Sequence, residues 1–245
     1  MNTNVWKKPL AALFFVGSLL GASCSNDEPN DAPFPEPKAQ VSVDAPTGTA
    51  QIAVSSTPAG ATVQLVYDTP RGQVAAKGTA DAQGTCRLSI EQLAGYEQNL
   101  KLVVTQGETS KRLVLDKIPA KAEMLTETQI ATGLKKHTWK SVAKGSRVLI
   151  TNSSIRPYSL LATVAQKYFT FADGGKFTFE VTSPQQFKHE TGTWTLSAQR
   201  LDIHPAIPLG AIQLKNVRIQ SLSDTQLALL AEIEDGLFLL RFEAQ

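Results

Sequence analysis

Residues 168–179 read YFTFADGGKFTF. Phe169 and Phe171 alternate with Tyr168 and Thr170, and Phe177 and Phe179 alternate with Lys176 and Thr178. Strand side chains repeat every two residues, so each half of this stretch has one strongly apolar face. Asp173-Gly174-Gly175 separates the halves, and glycine supplies the positive φ that a tight hairpin turn requires. Two half-buried strands joined by a hairpin point to an all-β, antiparallel fold.

The same pattern extends in both directions. Strands are expected at about 137–150, 167–172, 176–181, 187–196, 200–204, 212–222, 226–233 and 237–242, with Glu234-Asp235-Gly236 as the last turn. Eight strands joined mainly by hairpins predict an up-and-down barrel over 127–245. Thr126 followed by Gln129 fits a capping box, and Ile130 and Leu134 at i, i+4 predict a short helix ahead of the barrel. Strand alternation points Trp139, Phe169, Phe171, Phe177, Phe179, Trp194 and Leu196 inward. An eight-stranded barrel is just wide enough to be filled by side chains or to hold one small ligand.

Apolar parity breaks twice, between Phe187 and Trp194 and between Leu214 and Val217. Bulges are expected near 190–192 and in the second interval, because a bulge re-aims side chains at a barrel rim. In the last hairpin Leu227 and Leu229 alternate with Ala228 and Leu230. Leu237 and Leu239 alternate likewise with Phe238, Leu240 and Phe242. Both faces are therefore apolar and the outer one needs cover. The helix is expected to supply it.

Taken together, Trp139, the 168–177 stretch, Gly192-Thr193-Trp194-Thr195-Leu196, Leu201-Asp202-Ile203 and Leu222-Ser223-Asp224-Thr225-Gln226-Leu227 resemble the lipocalin-like domains of bacterial surface lipoproteins. The resemblance implies a barrel. The Gly-x-Trp of true lipocalins is absent, since His137 and Thr138 precede Trp139, so it implies the barrel more than a bound ligand.

Upstream, residues 49–118 read as six short strands divided by turns at Thr57-Pro58-Ala59-Gly60, Pro70-Arg71-Gly72, Asp81-Ala82-Gln83-Gly84 and Gln106-Gly107-Glu108. Such spacing indicates a small antiparallel sandwich. Cys86 falls on an apolar face with Leu88 and Ile90, which predicts a core thiol. Ser56-Thr57-Pro58-Ala59-Gly60-Ala61-Thr62-Val63 and Gly78-Thr79-Ala80-Asp81-Ala82-Gln83-Gly84 resemble the Ig-like PEGA and carboxypeptidase-regulatory-like sandwiches of bacterial surface proteins. That resemblance implies a spacer or a carbohydrate-adjacent module. A linker, 119–126, divides the two domains.

The N-terminus addresses the chain. Lys7 and Lys8 precede an apolar run from Leu10 to Leu20. The run is shorter than the roughly 20 residues that span a bilayer and has the form of a signal-peptide core. Leu20-Gly21-Ala22-Ser23-Cys24 resembles the lipobox of bacterial lipoproteins, which implies cleavage after residue 23 and acylation (palmitate or similar) of Cys24. The segment SNDEPNDAPFPEP that follows is acidic and proline-rich. It buries too little to fold, and 24–48 is expected to be a disordered tether. An acidic stretch after the lipidated cysteine resembles a surface-export signal. The expected location is the outer membrane, displayed at the cell surface, with a periplasm-facing anchor as the alternative.

Little in the sequence points to chemistry. Taking Lys7 and Lys8 from 24 basic residues leaves 22 against 22 acidic ones, and no basic patch with interleaved aromatics suggests nucleic acid. Ser153-Ser154 and Ser223-Asp224 lack any nucleophile-elbow context. Asp202 and His204 share a strand face but are expected to face water. His189-Glu190 point to opposite faces and cannot chelate together. No metal or phosphate motif is present, and no cofactor or enzymatic activity is expected. The expectation is a non-enzymatic lipoprotein, its sandwich a spacer and its barrel a binding or accessory module for a small apolar molecule, glycan or protein. A structural or envelope-assembly lipoprotein with a packed barrel and no ligand is the alternative. Candidate ligand contacts are Arg156, Tyr158 and His189, at a mouth formed by the 151–166 loop and the 190–192 rim.

Overall fold

The computed structural model describes residues 34–70, 72–151, 167–183, 186–204, 208–209, 212–233 and 236–245. Cys24, Arg156, Tyr158 and the Glu234–Asp235 turn lie outside them. Phe34–Gln245 forms one compact unit, and its described residues are all-β apart from a single helix and one 3-10 turn.

The sandwich has seven strands: β1 (Lys38–Asp44), β2 (Thr49–Ser55), β3 (Thr62–Tyr67), β4 (Val74–Thr79), β5 (Cys86–Glu91), β6 (Leu100–Gln106) and β7 (Thr109–Val114). One sheet runs β1-β2-β5 and the other β4-β3-β6-β7. Alternation does what the sequence demands: Ile52 and Val54, Val63 and Leu65, Leu88 and Ile90, and Leu102 and Val104 all turn into one core. Cys86 joins them at 6% exposure, and burial pushes its thiol pKa up. The boundary at residue 49 needs correction. Lys38–Asp44, expected within the tether, pairs along its whole length with β2. Ala39, Val41 and Val43 do alternate with polar residues there, but the run is short and only weakly apolar, and Ala39 and Val41 are only half-buried.

The barrel follows α1 (Glu127–Lys135) and comprises β8 (Thr138–Thr151), β9 (Lys167–Ala172), β10 (Lys176–Ser183), β11 (Gln186–Ser197), β12 (Arg200–His204), the two-residue β13 (Pro208–Leu209), β14 (Ile212–Leu222), β15 (Gln226–Ile233) and β16 (Gly236–Ala244). Each long strand pairs antiparallel with the next. Extensive β16–β8 pairing closes the ring on one side. The other closure, β12 to β14, is a single residue pair, Arg200 with Arg218. Gly174 takes φ +69° in the turn between β9 and β10, the conformation for which glycine is suited.

The capping box forms as read: Thr126 Oγ accepts from the Gln129 N–H, and the Gln129 side chain accepts from the Thr126 N–H. The helix does not cover the last hairpin. Ile130 and Leu134 point into the barrel, among Trp139, Phe169, Leu227 and Phe242, and Trp139 Nε1–H donates to the Leu134 carbonyl at 2.9 Å. The helix therefore plugs one end of the barrel. Lys135 and Lys136 tie its C-terminus to Asp173 and Asp224 on two turns of that rim, each at 2.6 Å.

The outer face of the last hairpin is covered by the sandwich instead. Leu93 and Ala94, in the stretch after β5, pack on Ala228, Leu230, Leu237, Leu239 and Leu149. Polar groups fix this contact. Gln220, 4% exposed, accepts from the Ala94 N–H at 2.9 Å and donates to the Gln92 carbonyl at 2.8 Å. Arg241 Nη2 reaches both Glu91 oxygens at 2.9 and 3.1 Å. Tyr96 donates to Glu232 at 2.9 Å, and Arg218 stacks over the Tyr96 ring. Gly95 sits beneath that guanidinium with φ +72°, and a Cβ there would lie 2.5 Å from Arg218 Cζ.

Candidate functional site

The barrel interior is built from alternating aromatic residues. Phe169 is the hub: its ring lies 5.7 Å from Phe177, 5.5 Å from Phe179 and 4.9 Å from Phe242. Phe171 continues the stack to Trp194 at 5.5 Å with rings near perpendicular, an arrangement that places positive ring edges on negative faces. Trp194 Nε1–H finds the Ala172 carbonyl at 3.1 Å. All seven residues expected inside belong to this core, Leu196 at its partly buried edge. The helix end is shut and the middle is packed.

The opposite end differs. Lys167 lies on the inner face of β9, in step with Phe169 and Phe171, and is 6% exposed. Glu190 lies directly opposite Phe179 and Gly192 opposite Phe177, so both take inner-face positions on β11. The bulge expected at 190–192 is absent: register runs unbroken from Lys176–Thr193 to Ser183–Gln186. The parity break marks a change in the lining, from apolar to polar, rather than a change in the strand. A lysine and a glutamate on the inner face were missed because a polar residue at an inward position reads locally as an outward one. Pairing Lys167 with the 169/171 alternation was the available signal.

The second bulge is present. Register shifts between Lys215 and Arg218, and Asn216 has φ +47°. Because β12 and β14 touch at one pair, they part beyond it. Between them opens a cleft of about 300 Å³, with Leu201, Ile203, Leu214 and Val217 inside and Lys215 and His204 on the rim. Its volume is at the lower end of the range for small-molecule sites.

Of the residues singled out for binding, the structure places His189. It is exposed on the outer face of β11, its Nδ1 3.1 Å from Glu180 Oε1 on the neighbouring strand. Its side chain faces away from the polar inner end, although Glu190 beside it lines that end, and it does not line the cleft. Asp202 pairs with Arg200 at 2.9 Å, and His204 is exposed. Among the described residues no group of three or more His, Cys, Asp or Glu is placed to hold a metal ion, and no helix is long and apolar enough to cross a membrane. Tyr96, at the sandwich–barrel contact, has its phenol pKa pushed up to about 12, by burial first and by its bond to Glu232 second. No family model matches the chain, and no curated protein matches it.

Proposed function

We propose that the chain is a non-enzymatic bacterial lipoprotein, anchored at the outer membrane by lipid on Cys24 and displayed at the surface. In this reading the PEGA-like sandwich is a spacer, and the lipocalin-like barrel is a binding or accessory module for a small molecule, glycan or protein.

The observation that carries the reading is the order of the parts. Phe34 packs against the sandwich core, with the Lys111 ammonium 5.9 Å from its ring centre. It leads into β1 at the end where Lys38 pairs with Ser55 and Val54 with Cys86. The other end of the same sheet, where Thr49 pairs with Glu91, is the end that grips Arg241 of the barrel. Phe34 therefore enters the sandwich at the end remote from the barrel contact, which supports reading the sandwich as a spacer.

Two assays test this. Cys24→Ala is expected to leave the chain out of the detergent phase, and a variant that is still processed and still partitions there contradicts the anchor. For the barrel, a hydrophobic fluorescent probe is expected to gain signal with the chain, and Ile203→Arg, in the β12–β14 cleft, is expected to remove most of the gain. The packed aromatic middle favours the second reading, a structural or assembly lipoprotein with no ligand. A probe that gains no signal supports that reading.

A further inference from the structure

A second pocket lies where the linker passes the helix end of the barrel, with Ile130 and Ile219 of the barrel core at its floor and a cavity of about 240 Å³. That is roughly the space of eight waters at ~30 Å³ each. Its wall is apolar, made by Met124 and Leu125 of the linker and Ile219 and Leu222 of β14. Met124 is 57% exposed, a large thioether side chain in solvent at the lip of an apolar hollow, and methionine adapts readily to what it covers.

Two polar groups reach in. Gln199 is 7% exposed. It lines the pocket, and its side-chain amide makes no hydrogen bond among the described residues, so it can bond a ligand there. Lys121 also lines the pocket. Its Nζ donates to the Gln220 carbonyl at 2.8 Å and makes no ion pair among the described residues. An ammonium has three donors, so two remain. Burial lowers the Lys121 pKa by more than the charge of Glu91 raises it, and an anion in the pocket would further offset that desolvation. No described carboxylate lines the cavity.

We propose that this pocket binds a small apolar monocarboxylate, its chain against Met124, Leu125, Ile219 and Leu222 and its carboxylate between Lys121 and Gln199. The proposal rests on the reading of the chain as a binding protein and gives it a site distinct from the barrel cleft.

Met124 is the single methionine after Met1, so its methyl group, isotope-labelled in the chain from residue 25 onward, reports on this pocket alone by NMR. Octanoate is expected to shift that signal saturably, and octylamine is not. Lys121→Gln should weaken octanoate about tenfold, the scale of one hydrogen bond to a charged group, and leave octanol unchanged. Met124→Glu, at an exposed position, should repel octanoate while leaving tryptophan emission native. A Met124 signal indifferent to octanoate, or Lys121→Gln binding it as tightly as the parent, overturns the proposal. Octanoate binding seen by calorimetry without movement of Met124 removes this site but leaves the binding reading standing. If calorimetry shows no binding of any of the three and the fluorescent probe also gains nothing, both fall.

Discussion

Gln220 shows how much one side chain can hold. Its amide oxygen and nitrogen are both used, on partners 126 and 128 residues away in sequence. Gln220→Ala would strand the Ala94 N–H and the Gln92 carbonyl in a buried place. Each buried group left unbonded costs about 1–3 kcal/mol, so a loss of at least about 2 kcal/mol is expected in urea denaturation. Nothing near Gln220 in the sequence marks it, because its partners belong to the other domain. The aromatic core was legible for the opposite reason: alternation is a local property. Phe169→Ala, which empties the hub of the stack, is expected to cost about 3–5 kcal/mol, the range for large aromatic truncations in cores. His189 was singled out as a polar tip near a rim, and only register shows that it sits on the outer face opposite Glu180.

At the scale of elements, the ends and caps of α1 were readable, and what it packs on was not. A nine-residue helix with two buried positions fits an outer face or an open barrel end equally well by pattern. The hydrogen bond from Trp139 to Leu134 and the lysine ties to two rim turns decide for the end. Leu134→Asp would put a charge into the barrel interior. It is expected to lower stability by several kcal/mol and to increase binding of a hydrophobic dye, whereas a helix lying outside the barrel would tolerate the change at little cost. Parity likewise gave one bulge correctly and one wrongly. Between Leu214 and Val217 the backbone itself shifts, with a positive φ at Asn216. Between Phe187 and Trp194 the chain stays regular and the lining turns polar. Composition alone does not separate a re-aimed strand from a polar interior.

For the whole molecule, the sequence revealed that the outer face of the last hairpin needs cover, but a two-domain division left only the helix to supply it. The structure makes the sandwich itself the cover. Each large aliphatic side chain buried there contributes roughly 1.5–3 kcal/mol. The barrel made alone, as 127–245, is expected to expose Leu230, Leu237 and Leu239 and to self-associate, and a stable, monomeric isolated barrel would contradict this. The same junction should weaken in alkali. Tyr96 keeps its proton in the folded state to about pH 12, against about 10 when unfolded. Its contribution is therefore complete below about pH 10 and is lost as pH rises through about 12. Tyr96→Phe should flatten that part of the pH profile of stability.

Sandwich and barrel together form one compact body. Beyond residue 33 the tryptophans are Trp139 and Trp194, both in the barrel core, and the lone cysteine is Cys86, in the sandwich core. Urea unfolding can therefore be followed in each domain at once, by tryptophan emission and by the reactivity of the Cys86 thiol. Coincident transitions, separated by Leu93→Asp at the contact, are the expected result. A Cys86 that becomes reactive in the parent chain while tryptophan emission is still native would show two independent domains and contradict the account.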